Sequence, residues 1–132
     1  MGTGLRYGLL IAIAIGPAAD AVRGQQPDSL PEGVRPAAVA QGKKLFAGAG
    51  LCAACHGADA KGTIGPDLTD TTWLHGKGSF AEILATIRNG VLPDQSKTGQ
   101  IMPPGGGSGL SDAQLSALAA YVWTLSRPPA RK

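Results

Sequence analysis

The chain has 132 residues, 43% of them hydrophobic and 16% charged, a size and balance that fit one small globular domain rather than several. Its net charge of +3 is mild and contains no basic run, which excludes the usual electrostatic footprint of nucleic-acid binding. Twenty glycines and ten prolines, against only two each of Trp, Tyr and Phe, leave a core short of apolar bulk; small domains in that position usually draw on disulfides, a metal or a cofactor.

In chain order, residues 1–21 read as a secretory signal. Arg6 gives a weakly positive start, Leu9 to Gly16 (LLIAIAIG) form a short apolar run, and Ala19-Asp20-Ala21 is a small-x-small cleavage site. The run is far shorter than the roughly 20 apolar residues of a membrane span, so an uncleaved N-terminal anchor is the weaker alternative. Cleavage would remove one base (Arg6) and one acid (Asp20) and leave the net charge unchanged. Residues 22–35 (VRGQQPDSLPEGVR) are polar, rich in Pro and Gly and aperiodic, which predicts a flexible leader.

The domain itself is expected over residues 36–127, with a short tail at 128–132. Its first helix starts at Pro36, a favoured first-turn residue, places Val39, Gly42 and Phe46 on one face, and stops at Gly48 and Gly50. The second has Ser79 and Glu82 as a capping box, then an apolar stripe of Phe80, Ile83, Leu84 and Ile87, and a stop at Asn89-Gly90. The third repeats the pattern with Ser111 and Gln114 as the box and Leu115, Leu118, Ala119, Val122 and Leu125 as the stripe, ending before Pro128. No segment alternates as a strand. The fold class is all-α, three main helices joined by glycine-rich loops.

The chemistry lies in LCAACHGADAKG, Leu51 to Gly62, which holds the chain's two cysteines. A structural zinc site needs four ligands, and the second histidine, His75, is too far along for a finger spacing. A thioredoxin-like pair needs a βαβ context that is absent, and a disulfide across so tight a turn would stabilise little. Cys-x-x-Cys-His is instead the pattern of covalent haem attachment. Two intervening residues set the Cys52 and Cys55 sulfurs to meet the two vinyl groups of one porphyrin edge, and His56 follows directly as the proximal iron ligand. A buried porphyrin would also supply the missing apolar bulk. For the other axial position, Met102 is the sole methionine after signal removal; it sits off any helical stripe, in the loop between helices two and three, with Pro103-Pro104 behind it. His75 is the competing donor, more readily a surface or propionate-side residue.

With CAACH and Met102-Pro103-Pro104 placed, the chain resembles the class I c-type cytochromes over nearly all of residues 36–127, a monohaem all-α fold. The resemblance implies that Gly65-Pro66-Asp67-Leu68 presents the Pro66 carbonyl to the Nδ1 of His56, a bond that orients the imidazole. It implies that Gly42 and Phe46 meet Tyr121 and Leu118 of the last helix. LTDTTWLHG and EILATIRNGV are further similar to the haem-c domains of high-affinity terminal oxidases and to small cytochrome subunits of periplasmic dehydrogenases. In such domains Trp73 and Arg88 would lie near the haem propionates.

The function so implied is electron transfer without catalysis, by one haem c cycling between Fe(III) and Fe(II), in a periplasmic or otherwise exported protein. Its partners would be a donor dehydrogenase and an acceptor oxidase or cytochrome, with membrane contact only through a partner or an uncleaved anchor. Lys43, Lys44, Lys61, Lys77 and Lys97 could steer acidic partners or simply solvate the surface. Two alternatives stand beside the mobile carrier: a tightly bound subunit of a larger dehydrogenase or oxidase, and a five-coordinate haem sensor or enzyme. Acid/base material for the last is thin, since Glu32 and Glu82 are the only glutamates.

Overall fold

The computed structural model describes Met1 and residues 30–127. Apart from Met1, the expected signal segment lies outside the described residues, as do leader residues 22–29 and the tail. Four helices follow in order: α1 (Pro36–Ala47), α2 (Cys52–His56), α3 (Phe80–Asn89) and α4 (Asp112–Leu125), with a 3₁₀ turn at Pro104–Gly107. Among the described residues there is no strand, only an isolated antiparallel bridge between Val91 and Met102.

The three long helices start and stop for the reasons their sequences give. Pro36 opens α1, which Gly48 closes. In α3 the Glu82 N–H donates to the Ser79 hydroxyl at 3.3 Å while the Ser79 N–H donates to Glu82 Oε2 at 3.0 Å. Gly90, at φ +71°, ends that helix and returns its N–H to the Thr86 carbonyl at 2.8 Å. Ser111 and Gln114 cap α4 in the same reciprocal way. The Ser79 hydroxyl is also the chief cause that holds the Glu82 carboxyl below its ordinary range. Two elements lack such signals. Helix α2 has five residues, too few to show a hydrophobic period. The 3₁₀ turn contains Gly105 and Gly106 at positive φ, so it is a glycine coil with no helical sequence signature.

Helices α1 and α4 cross in main-chain contact at Gly42. A methyl group added at Gly42 would lie 1.9 Å from the Ala117 carbonyl oxygen and 2.8 Å from Tyr121 Cβ. Glycine therefore admits the main chain of α4 first and the aromatic beside it second, a refinement of the Tyr121 contact expected from the sequence. Below the crossing, the Phe46 and Tyr121 rings meet edge to face with centroids 5.5 Å apart. Phe46 and Leu118 are fully buried and lead a core shared with Ile83, Ile87, Leu115, Ala119 and Val122. Helix α4 packs on α1 and α3 at once, so Ala117 and Ala120 are buried along with its leucines, while Leu125 is only half-buried. No helix among the described residues is long and apolar enough to cross a membrane.

Gly42→Ala is accordingly expected to lower unfolding stability by about 2–3 kcal/mol, because backbone on the facing helix cannot move aside as a side chain can. Denaturant unfolding with matched slopes checks this. Gly48→Ala is the control: its added methyl would meet only the Lys44 carbonyl, at 3.3 Å, and should shift the midpoint little.

Candidate haem site

The turn after α1 sets up the attachment segment. Gly50 N–H donates back to the Leu45 carbonyl at 2.8 Å, and Leu51 takes a left-handed conformation (φ +58°) that starts α2 in a new direction. On α2, Cys52 and Cys55 stand three positions apart on one face, followed by His56. Both thiols are free. Cys52 is half-buried and donates to the Gly50 carbonyl at 3.3 Å; burial pushes its thiol up to about 11, so it stays protonated at neutral pH. Cys55 is exposed, and His56, 8% exposed, is the one buried polar side chain among the described residues.

The loop after α2 is wound onto it by main-chain bonds. The Cys55 carbonyl accepts the N–H groups of Thr63, Ile64 and Gly65 at 3.1, 3.1 and 2.8 Å, and the Thr63 hydroxyl at 2.7 Å. The His56 carbonyl accepts Gly62 N–H at 2.7 Å. This winding delivers the Pro66 carbonyl to 2.9 Å from His56 Nδ1. A carbonyl can only accept, so Nδ1 carries the proton and Nε2 keeps its lone pair for a ligand. Gly65 lies flat against the imidazole; a methyl there would fall 2.9 Å from Cε1 and 3.0 Å from Nδ1. Further on, Asp67 accepts the N–H and hydroxyl of Thr69 at 2.6 and 2.7 Å, and that hydroxyl is the chief cause holding its carboxyl below the usual range.

Met102 comes to the same place from the other long loop. It exchanges both main-chain bonds with Val91, at 2.8 and 3.0 Å, directly after α3 ends. Gly90 permits this approach, since a methyl on it would lie 2.2 Å from the Met102 carbonyl oxygen. One apolar cleft is lined by Cys52, Cys55, His56, Pro66, Trp73, His75 and Met102, with Phe46, Leu68, Ile83, Ile87 and Val122 as its floor and walls. Of the residues expected at the site, only Arg88 is not part of this lining. It is exposed on α3 and pairs with Asp112 at the start of α4, Nε to Oδ1 at 3.1 Å, with 43% and 83% of the two side chains exposed. So open a pair contributes little stability.

The donor set decides what the cleft can hold. Among the described residues no three His, Cys, Asp or Glu side chains gather as a site for a bare metal ion. One imidazole, one thioether and two thiols around an apolar slot fit a haem c: the apolar walls would hold the ring system, the thiols would tether it, and the imidazole and thioether would serve the iron. Sequence reading named Gly65 in its Gly-Pro segment and Gly90 as a helix stop, but missed their close approaches to His56 and Met102 and the Thr63 hydroxyl bond. Gly-Pro after Cys-x-x-Cys-His was the available signal for the first of them.

Comparison with known proteins agrees with this geometry. Residues 37–122 match the family described as cytochrome c oxidase, cbb3-type, subunit III. The cbb3-type cytochrome c oxidase subunit CcoP of Rhodobacter capsulatus is 42% identical over 90 residues, covering 64% of this chain and 28% of that protein. Subunit FixP of a Bradyrhizobium strain is 41% identical over 96 residues, covering 70% and 32%. This chain thus spans about a third or less of the length of these curated relatives. Among solved structures, cytochrome cL from Methylophaga aminisulfidivorans superposes with a TM-score of 0.52 at 25% identity, over 70% of this chain and 56% of that one. A Kuenenia stuttgartiensis HAO-like protein complex shares the fold with a TM-score of 0.55 at 19% identity, over 78% and 48%. The all-α cleft, its Cys-x-x-Cys-His helix and the match across α1 to α4 lead to one conclusion: the chain belongs to the cbb3-type cytochrome c oxidase subunit III family, as a monohaem class I cytochrome c domain.

Proposed function

We propose that this domain transfers single electrons between protein partners through one haem c, tethered by Cys52 and Cys55 and ligated by His56 and Met102. The observation that carries this reading is the convergence of a proton-fixed imidazole and a main-chain-pinned methionine on one apolar cleft. When bound, the haem supplies a one-electron Fe(III)/Fe(II) couple. The chain's own residues do the rest. Cys52 and Cys55 would form the two thioethers; Pro66 holds the His56 ring and strengthens its Nε2 as a donor; the Val91 bridge presents Met102; the apolar walls exclude water. Were His56 and Met102 both to ligate the iron, no position would remain for a substrate, and the domain would carry electrons without catalysing. Trp73 and His75 lie in the cleft lining, where either could meet a propionate; Arg88 lies outside that lining and pairs with Asp112.

The expected signal segment and the thioether chemistry both support an exported, periplasmic location for the domain. Its relatives CcoP and FixP are oxidase subunits, which favours a terminal oxidase as one partner and keeps the permanently bound subunit as a second reading beside the mobile carrier. Co-purification of the full chain separates them: a stoichiometric partner supports the subunit, a lone monomer the carrier.

Three outcomes test the site. Cys52→Ala/Cys55→Ala should abolish haem that survives acid–acetone extraction, whereas normal covalent haem in that variant would refute the tether. Met102→Ala should retain covalent haem and lower the potential by on the order of 0.2 V, within the roughly 0.8 V span that axial ligands cover, while admitting cyanide or carbon monoxide. An unmoved potential removes Met102 from the iron. Gly65→Ala should push the His56 ring off the Pro66 carbonyl, visible as altered imidazole resonances in paramagnetic NMR and a stability loss of about 1–3 kcal/mol.

A further inference from the structure

We infer that Arg127 is a positioning residue for this site: it ties the end of α4 to the Gly78 carbonyl and so clamps the loop carrying Trp73 against the cleft. The inference rests on the cleft being the haem site.

The contacts run in one line. Arg127 Nη2 donates to the Gly78 carbonyl at 2.9 Å, across 49 residues of sequence. Its Nη1 donates to the Trp123 carbonyl at 2.7 Å and to the Ser126 hydroxyl at 3.3 Å, which anchors the guanidinium to its own helix. The charged plane also lies over the Trp123 ring, 3.9 Å from its centroid, which fixes its orientation. Gly78 is buried at φ +75°, and a methyl on it would fall 2.1 Å from the indole Nε1 of Trp73. The indole therefore rests directly on the main chain that Arg127 grips. Its other neighbourhood is the cleft, where Trp73, Leu74 and His75 form a continuous stretch of wall.

The same loop is held once more, from α3. Glu82 Oε2 accepts the Lys77 N–H at 3.0 Å, the Ser79 N–H at 3.0 Å and the Ser79 hydroxyl at 2.7 Å. These bonds fix the loop where it enters a helix; Arg127 fixes the point where the indole sits. Only a forked side chain can reach carbonyls on two elements at once, and a lysine offers a single donor centre. Burial lowers the pKa of Arg127 from its ordinary value, consistent with a guanidinium drawn out of bulk water while remaining charged.

The test compares Arg127→Met, which keeps the stem and loses every donor, with Arg127→Lys, which keeps the charge. Native-state hydrogen exchange and redox titration are read on the haem-loaded protein. Arg127→Met is expected to raise amide exchange at residues 73–78 by roughly tenfold or more, leaving the α1 and α4 core amides unchanged. Its potential should fall, because water admitted past a loosened wall favours the ferric state. Arg127→Lys should lie between on both readouts. Unchanged exchange in Arg127→Met overturns the clamp. So does a lysine variant with a loosened loop and the full parent potential, which would make the effect one of charge alone. Haem content by pyridine haemochrome is measured in parallel. Absence of covalent haem from the unaltered chain would refute the haem reading itself, while the same exchange comparison, run on the chain as isolated, would still decide the clamp.

Discussion

The crossing of α1 and α4 at Gly42 is the constraint from which the rest of the domain follows. With no side chain between Gly42 and the Ala117 carbonyl, the two helices approach to main-chain contact, which a larger residue at position 42 would prevent. That approach aligns the Phe46–Tyr121 edge-to-face pair and buries Phe46 and Leu118 completely. It also turns the opposite side of α4 toward α3, so one helix serves two interfaces. Six buried residues on α4, three of them alanines, are the compositional consequence. The aromatic-poor core is then compact at the crossing and open at the cleft.

Pro66, Trp73, His75 and Met102 reach the cleft from loops, and loops hold position only through specific bonds. Here the bonds are mostly main chain. Three N–H groups and a hydroxyl converge on the Cys55 carbonyl, so the residues between His56 and Pro66 are wound on α2 rather than draped over it. Each bond is worth about 1 kcal/mol, but together they fix where the Pro66 carbonyl stands. The His56 orientation is therefore set by the hydrogen-bonded winding of the loop that follows the attachment motif. On the other side, a single two-bond bridge to Val91 does the corresponding job for Met102, with Gly90 as the residue that allows it.

How much of this was legible in the sequence divides along physical lines. The three long helices were readable because caps and apolar period both point to them: Ser79 with Glu82, Ser111 with Gln114, and stripes that the structure buries at Ile83, Ile87, Leu115, Leu118 and Val122. Cys52, Cys55 and His56 could be singled out in the sequence because attachment chemistry demands that spacing, and the structure brings all three to one cleft. Helix α2 was not, since five residues show no period, and the Val91–Met102 bridge was not, since two residues make no alternation. Arg88 shows a different limit. A charge at the end of an amphipathic helix can face a site or a neighbouring helix, and only packing tells which; here Asp112 takes it. Arg127 escaped for the complementary reason, because its partners are carbonyls that every residue carries.

Under the proposed ligation, the two axial donors pull the iron in opposite directions, and the supporting contacts accentuate both. The Pro66 carbonyl makes the His56 imidazole more electron-rich, which favours the ferric state. The thioether of Met102 and the apolar walls built by Phe46, Leu68, Ile83 and Ile87 favour the ferrous state, whose charge is smaller. Of these effects only the wall depends on many residues at once, so it is the most adjustable without touching a ligand. A relative of this chain could keep the Cys-x-x-Cys-His helix, the proline and the methionine and still shift its potential through the stretch around Trp73. That separation explains why the ligating residues are legible as a motif, whereas the property that decides which partners exchange electrons with the domain is spread over its packing.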